Sequence, residues 1–136
     1  MEQNGVPTKN IMSEQQASDL KGRTKNFALR TIRMYMRPRH DAVAQVLGKQ
    51  ALRAGTSVGA NYREASRGRS KAEFISKIGD CLKEIEETGY WLELLVDSNC
   101  VSSSKMADLL DENRQLIAIF TTIDKNSKRP PANLSL

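Results

Sequence analysis

The amino-acid sequence predicts an all-α protein, an antiparallel up-down-up-down four-helix bundle. Three observations predict it. Apolar residues recur at steps of three and four along four separate stretches, and no stretch alternates apolar and polar residues as a strand would. Stop and start signals divide those stretches: Pro38 with Asp41, the corner Ser66-Arg67-Gly68-Arg69-Ser70, and Asn99 with Ser102-Ser103-Ser104. Hydrophobic residues make up 39% and aromatic residues only 5% of the 136 residues, a profile of long helices rich in Ala, Leu, Lys, Arg and Glu. The length fits one domain, placed at residues 16–125. Polar segments at 1–15, with Gly5 and Pro7, and at 126–136, with a Pro-Pro pair, are expected to be disordered tails.

The first helix is expected from Ser18 to Arg37. Leu20, Thr24, Phe27, Thr31 and Met34 form its apolar stripe, and Ala28, Ile32 and Tyr35 widen it. Pro38 ends it, because proline has no amide hydrogen to give the helix. The second helix is expected from Asp41, its N-cap, to Arg67, with Val43, Leu47, Ala51, Ala54, Val58 and Ala65 as its apolar spacing. Ala51, Gly55 and Gly59 add a ridge of small residues that lets a neighbouring helix come close. Each interior glycine costs roughly 1 kcal/mol relative to alanine, so tight packing is expected to offset it.

At the next corner, Gly68 suits a left-handed position past a helix end, and Ser70 with Glu73 reads as a capping box. The third helix carries the most regular seam of the chain: Phe74, Ile78, Cys81, Ile85, Thr88, Leu92 and Leu95, at alternating steps of four and three. Trp91 and Leu94 make part of a second face apolar. The fourth helix, capped in the serine run, uses Met106, Leu109, Leu110, Leu116, Ile117, Phe120 and Ile123.

Charge is distributed unevenly. Residues 1–71 hold 14 Lys and Arg against 5 Asp and Glu, whereas residues 72–136 hold 7 against 11. Within 21–40, Lys21, Arg23, Lys25, Arg30, Arg33, Arg37 and Arg39 face no acid in their own segment. Like charges so crowded repel unless acidic neighbours or a polyanion compensate them. A second basic cluster, Arg63, Arg67, Arg69 and Lys71, marks the corner between helices two and three; it reads either as a solvated corner or as a phosphate contact. No aromatic residue interleaves with it, so base stacking is not indicated.

Arg53, Ser57, Asn61 and Glu64 recur at steps of four, four and three, which lines four hydrogen-bonding groups along one helix face. Beside the small-residue ridge they read as a structural polar network between helices or subunits, with Glu64 satisfied by Arg53 or by a partner on the third helix. Catalysis is not expected. The single histidine, His40, lacks an evident partner for a nucleophile, and a metal-carboxylate bundle would need inward Glu-x-x-His pairs. No metal and no cofactor are expected, and Cys81 reads as a small core residue rather than a nucleophile. No apolar run approaches the ~18 residues that span a membrane, and the N-terminus lacks the apolar stretch of a signal peptide; the cytoplasm is the expected location.

The stretch from Lys49 to Phe74, followed by Glu84 to Leu95, closely resembles a family of small bacterial four-helix-bundle proteins. That family includes proteins encoded in intervening sequences of 23S ribosomal RNA genes and the accessory variability proteins of diversity-generating retroelements. Gln50, Leu52, Arg53, Ser57, Asn61 and Glu64 match one part of its pattern, and Arg69, Ser70, Lys71, Glu73 and Phe74 match another. Val58-Gly59 and Glu64-Ala65 stand where the family often has Ile-Pro and Glu-Gly, which marks a variant branch. The resemblance spans roughly residues 18–125. It implies a cyclic homo-oligomer, a pentamer in the familiar cases, with a basic surface. It also implies RNA or DNA as a partner in some members and a reverse transcriptase in the retroelement members. Combined with the charge distribution, it leads to the expectation of a non-enzymatic nucleic-acid-binding bundle, with contacts at Lys21, Arg23, Lys25, Arg30, Arg33, Arg37, Arg63, Arg67 and Arg69. The alternative is a protein–protein scaffold in which the basic first helix meets an acidic helix of a neighbour.

Overall fold

The computed structural model describes residues 11–37 and 41–130. Every regular element among them is helical: α1 (Glu14–Met36), α2 (Ala42–Ser66), α3 (Lys71–Asp97) and α4 (Ser103–Lys128). Asp41, Ser70 and Ser102 cap α2, α3 and α4 as their positions predict. α1 begins four residues earlier than the apolar pattern implies. Ser13 accepts the Gln16 amide at 3.0 Å and Gln16 returns the bond to the Ser13 amide at 2.8 Å, a complete capping box. Met12 is buried in the core, and Tyr62 donates its hydroxyl to the Ala17 carbonyl at 3.2 Å, tying the start of α1 to the end of α2. Residues 11–15, assigned above to a tail, are thus part of the fold. So are 126–128: Ser127 is fully buried and bonds back to the Ile123 carbonyl. The remainder of both tails, 1–10 and 131–136, and the link containing His40 lie outside the described residues.

All seven positions of the α3 seam are buried, as is the α1 stripe Leu20, Thr24, Phe27, Thr31 and Met34. Phe27, Phe74 and Phe120 fill the centre, and Tyr62 meets Phe120 edge-on with ring centroids 6.0 Å apart. α2 departs from its predicted spacing. Ala51, Ala54, Val58 and Ala65 are buried as expected, and so are Gly55 and Gly59 of the small-residue ridge, but Val43 is 54% exposed, and Ala44, Gly48 and Tyr62 turn inward instead.

The small residues of α2 explain that turn. A Cβ placed on Gly55 would lie 2.7 Å from Thr31 Cγ2. One on Gly59 would lie 3.3 Å from Thr24 Oγ1, and one on Gly48 would lie 3.0 Å from the Tyr35 ring. The two threonines turn their hydroxyls back onto α1 carbonyls, Lys21 at 3.1 Å and Ala28 at 2.7 Å, so no polar group is stranded in the contact. Partner numbers fall along α2 as they rise along α1.

The same descending order relates α2 to α3: Asp41 lies by Cys100, Arg53 by Glu84 and Glu87, and Glu64 by Lys77. Between α3 and α4 the buried Asn113 donates to the Ile85 carbonyl at 2.8 Å, in space left by Gly89, whose added Cβ would sit 2.5 Å from the Asn113 oxygen. α1 and α4 touch least of the adjoining pairs, leaving a groove of about 440 Å³ floored by Leu20 and Ile123.

Two turns differ from expectation. Gly68 does not adopt a left-handed conformation; it is required for closeness, since a Cβ there would stand 3.2 Å from the Ala65 carbonyl and 3.4 Å from the Phe74 amide. The Glu73 carboxylate caps the Arg69 amide at 2.8 Å rather than that of Ser70, whose own hydroxyl accepts the Glu73 amide. The left-handed residue is Asn99 (φ 63°), at the end of α3. There the Cys100 amide reaches Leu95 and the Asn99 amide reaches Val96, so the last carbonyls of the helix are satisfied.

Candidate nucleic-acid interface

The nine basic residues singled out from sequence do not form one cluster. α1 advances about 1.5 Å per residue, so Lys21 and Arg37 stand about 24 Å apart along it. Residues seven apart share a row on a helix, which puts Arg23, Arg30 and Arg37 on the side of α1 that faces α4.

Arg23 is spent within the chain. Its guanidinium grips Glu112 of α4 in a two-point bond, 3.0 and 2.7 Å, and reaches Gln115 at 3.0 Å. That bond raises the Arg23 pKa further above an already high value, so the guanidinium keeps its charge at any accessible pH. Arg30, Arg33 and Arg37 behave differently. With Lys105 and Asp108 of α4 they line a groove of about 200 Å³, walled by Met34, Val101, Met106 and Leu109. None of the three arginines has an ion pair within 4 Å among the described residues.

Lys21 and Lys25 project into solvent on the other flank of α1. Lys25 adjoins Thr24, which packs on Gly59, and Arg63 follows Gly59 by one turn, so these cations border the seam between α1 and α2. Arg67 and Arg69 are exposed at the corner beyond it. The outcome is two basic regions: the α1–α4 groove, and the α1–α2 seam with its corner. Lys105, which sequence reasoning missed because it stands alone among acids, joins the first.

The polar stripe of α2 resolves into two ion-pair stations against α3 rather than one continuous network. Arg53 binds Glu84 at 3.4 Å and Glu87 more closely; Glu64 binds Lys77 at 2.6 Å. Glu87 also accepts the Trp91 indole N–H at 3.0 Å, and that bond first, then Arg53, holds its pKa below the usual carboxylate value. Lys77 lowers the pKa of Glu64 and is itself raised by it. Ser57 donates to the carbonyl of Arg53 on its own helix at 2.7 Å, and Asn61 is half-buried without joining either station. Glu64 and Glu87 are thus committed to different cations. Among the described residues no three or more His, Cys, Asp or Glu side chains gather as metal ligands would, and no helix is long and apolar enough to cross a membrane. Burial pushes the Cys81 thiol up to about 12, which keeps it protonated and inert at neutral pH.

A helical bundle with a basic first helix and ion-paired α2–α3 face is the class of protein these features define. Residues 16–122 match the family of 23S rRNA-intervening sequence proteins, and the chain belongs to that family. It is also similar to a crystal structure of a protein of unknown function from the S23 ribosomal protein family of Bacteroides thetaiotaomicron. The two are 34% identical with a TM-score of 0.75, and the match covers 80% of this chain and 97% of that one. A search among curated proteins gave no match.

Proposed function

We propose that this chain is a non-enzymatic, cytoplasmic, antiparallel up-down-up-down bundle that assembles into a cyclic homo-oligomer, a pentamer by family resemblance, and binds RNA through its basic surface. The observation that carries the reading is the state of the α1 arginines. Arg23, Arg30 and Arg33 of α1 and its C-cap Arg37 lie towards α4, the helix best placed to neutralise them, and of the four only Arg23 has taken a carboxylate there. Membership of a family named for 23S rRNA agrees with a polyribonucleotide as the anion. The descending contacts of α1 with α2 and of α2 with α3 support the antiparallel order.

Binding by phosphate contacts is driven by counterion release and must weaken steeply with salt. Fluorescence anisotropy with a structured RNA tests it: saturable binding at ~50 mM salt that decays log-linearly with added salt is expected, and no binding at ~50 mM refutes it.

A second reading, a protein–protein scaffold, is favoured by one observation. Leu29 and Met36 on α1, Val43 and Val46 on α2 and Tyr90 on α3 are exposed large apolar side chains. It predicts that reversing charges at Lys25 and Arg33 breaks the oligomer, whereas the first reading predicts an intact oligomer with weakened RNA binding. Light scattering after size exclusion separates the two.

A further inference from the structure

We propose that the groove between the C-terminal half of α1 and the first two turns of α4 is a phosphate site, built for phosphate oxyanions of a nucleic acid. The inference rests on the nucleic-acid reading above, narrows it to one of the two basic regions, and adds Lys105 to the contacts.

Charge makes the first argument. Arg30, Arg33, Arg37 and Lys105 line a space of about 200 Å³ against one acid, Asp108, which forms no ion pair among the described residues. Three other cations do find acids on a neighbouring helix: Arg23 with Glu112, Arg53 with Glu84 and Glu87, Lys77 with Glu64. Here α4 presents a fourth cation instead. An arrangement that raises repulsion within the folded chain is relieved by an anion of more than one charge.

The walls make the second argument. Met34, Met106 and Leu109 are buried beneath the charged heads, so the anion sits over an apolar floor where water screens the interaction less than on open surface. The first turn of α4 adds the positive end of a helix dipole to the side-chain charges.

Shape and composition choose the ligand. Among the described residues no aromatic lines the groove, so none of them offers a base a ring to stack on. Guanidinium groups fit phosphate oxygens two at a time. Such contacts position a nucleic acid without reading its sequence. The phosphate can be an internucleotide diester or a terminal monoester, and these share the chemistry described.

The test compares the wild-type chain with an R30Q/R33Q/K105Q variant and, as a control on the other flank, K21Q/K25Q. Anisotropy is read with one structured RNA carrying either a 5′-phosphate or a 5′-hydroxyl. The groove variant is expected to bind at least tenfold more weakly and to flatten the log–log salt dependence by about 2, since each lost cation removes roughly 0.7–0.9 from the slope. K21Q/K25Q is expected to lose less. A preference for the 5′-phosphorylated RNA that vanishes in the groove variant assigns the terminal monoester; equal binding of both RNAs assigns the backbone. Wild-type affinity in the groove variant overturns the proposal while leaving the nucleic-acid reading intact. If wild-type protein binds no RNA, that reading fails, and calorimetry with pyrophosphate decides the groove alone. Binding lost in the variant upholds it, and no binding by the wild type overturns it. Should the triple variant not fold, as judged by circular dichroism, R33Q/K105Q substitutes two exposed positions and carries the same expectations at about two-thirds of the slope change.

Discussion

Gly55→Ala is expected to destabilise the bundle although alanine is the better helix former. The new Cβ would lie 2.7 Å from Thr31 Cγ2 and 2.9 Å from Thr31 Oγ1, well inside the ~3.5–4.0 Å at which such atoms attract. Thr31 has little freedom to yield. Its β-branch restricts rotation, and its hydroxyl is bonded to the Ala28 carbonyl at 2.7 Å. Relief therefore requires α1 and α2 to separate, and overpacking of this kind costs about 1–3 kcal/mol. The gain in helix propensity returns roughly 0.8–1.0 kcal/mol. The net expectation is a loss of up to about 2 kcal/mol. Gly22 and Gly79 provide the internal control, because an added Cβ meets nothing within 4 Å at either position. Alanine there is expected to stabilise by roughly 0.5–1 kcal/mol. Urea unfolding followed by circular dichroism, at one fixed protein concentration because association shifts apparent stability, measures all three. Gly55→Ala should lower the midpoint and the other two should raise it, and adding Thr31→Ala to Gly55→Ala should recover part of the loss. A Gly55→Ala midpoint raised as far as that of Gly22→Ala would refute the close-contact argument.

Further expectations test other parts of the fold. Asn113→Ala removes a buried bond to the Ile85 carbonyl and should cost about 1–2 kcal/mol in urea unfolding; it should also make Gly89→Ala tolerable, because the Asn113 oxygen that would meet the new Cβ is gone. Cys100 should react with a thiol reagent in the native protein, while the fully buried Cys81 should react only on unfolding. Burial raises the Cys81 pKa from 9.0 to about 12, so above pH 9 the unfolded chain loses a proton that the folded chain keeps. Stability should therefore be complete below pH 9 and fall as pH rises towards 12, by up to about 1.4 kcal/mol per pH unit from this group. Burial likewise raises the Tyr62 pKa above 10 and adds to the fall at the alkaline end. Unfolding midpoints of the wild type and Cys81→Ala should converge as pH rises from 9; parallel curves would remove Cys81 as the cause.

Much of the site was legible in the chain before folding, but not its grouping. The seam from Phe74 to Leu95 was read in full, because a long run at steps of four and three admits one buried side. For Glu64 the residues leave two partners open, Arg53 or a residue of the third helix, and the structure selects Lys77 of α3. The nine cations were identifiable from charge alone. Their division into two regions was not, because it depends on which flank of α1 each occupies and on what α4 places opposite. Lys105 carries no signal, since it stands as a single cation in the first turn of α4 with Asp108, Asp111 and Glu112 following it. Tyr62 was hidden between Asn61 and Arg63, and Val43 fitted the apolar spacing equally well on a wrong phase of α2.

Four helices, their caps at Asp41, Ser70 and Ser102, the heptad-like core of α3 and the family can all be read from the residues alone. Each of these follows from local spacing or from backbone groups within one turn. Packing across the bundle is what sets the α2 glycines against Thr24 and Thr31, commits Arg23 to Glu112 across 89 positions, and brings Arg30, Arg33 and Arg37 beside Lys105 with no carboxylate paired to them among the described residues. Those outcomes depend on the rotation of each helix about its axis. That rotation is fixed by packing among helices distant in the chain, and a small shift in helical phase exchanges a buried flank for an exposed one.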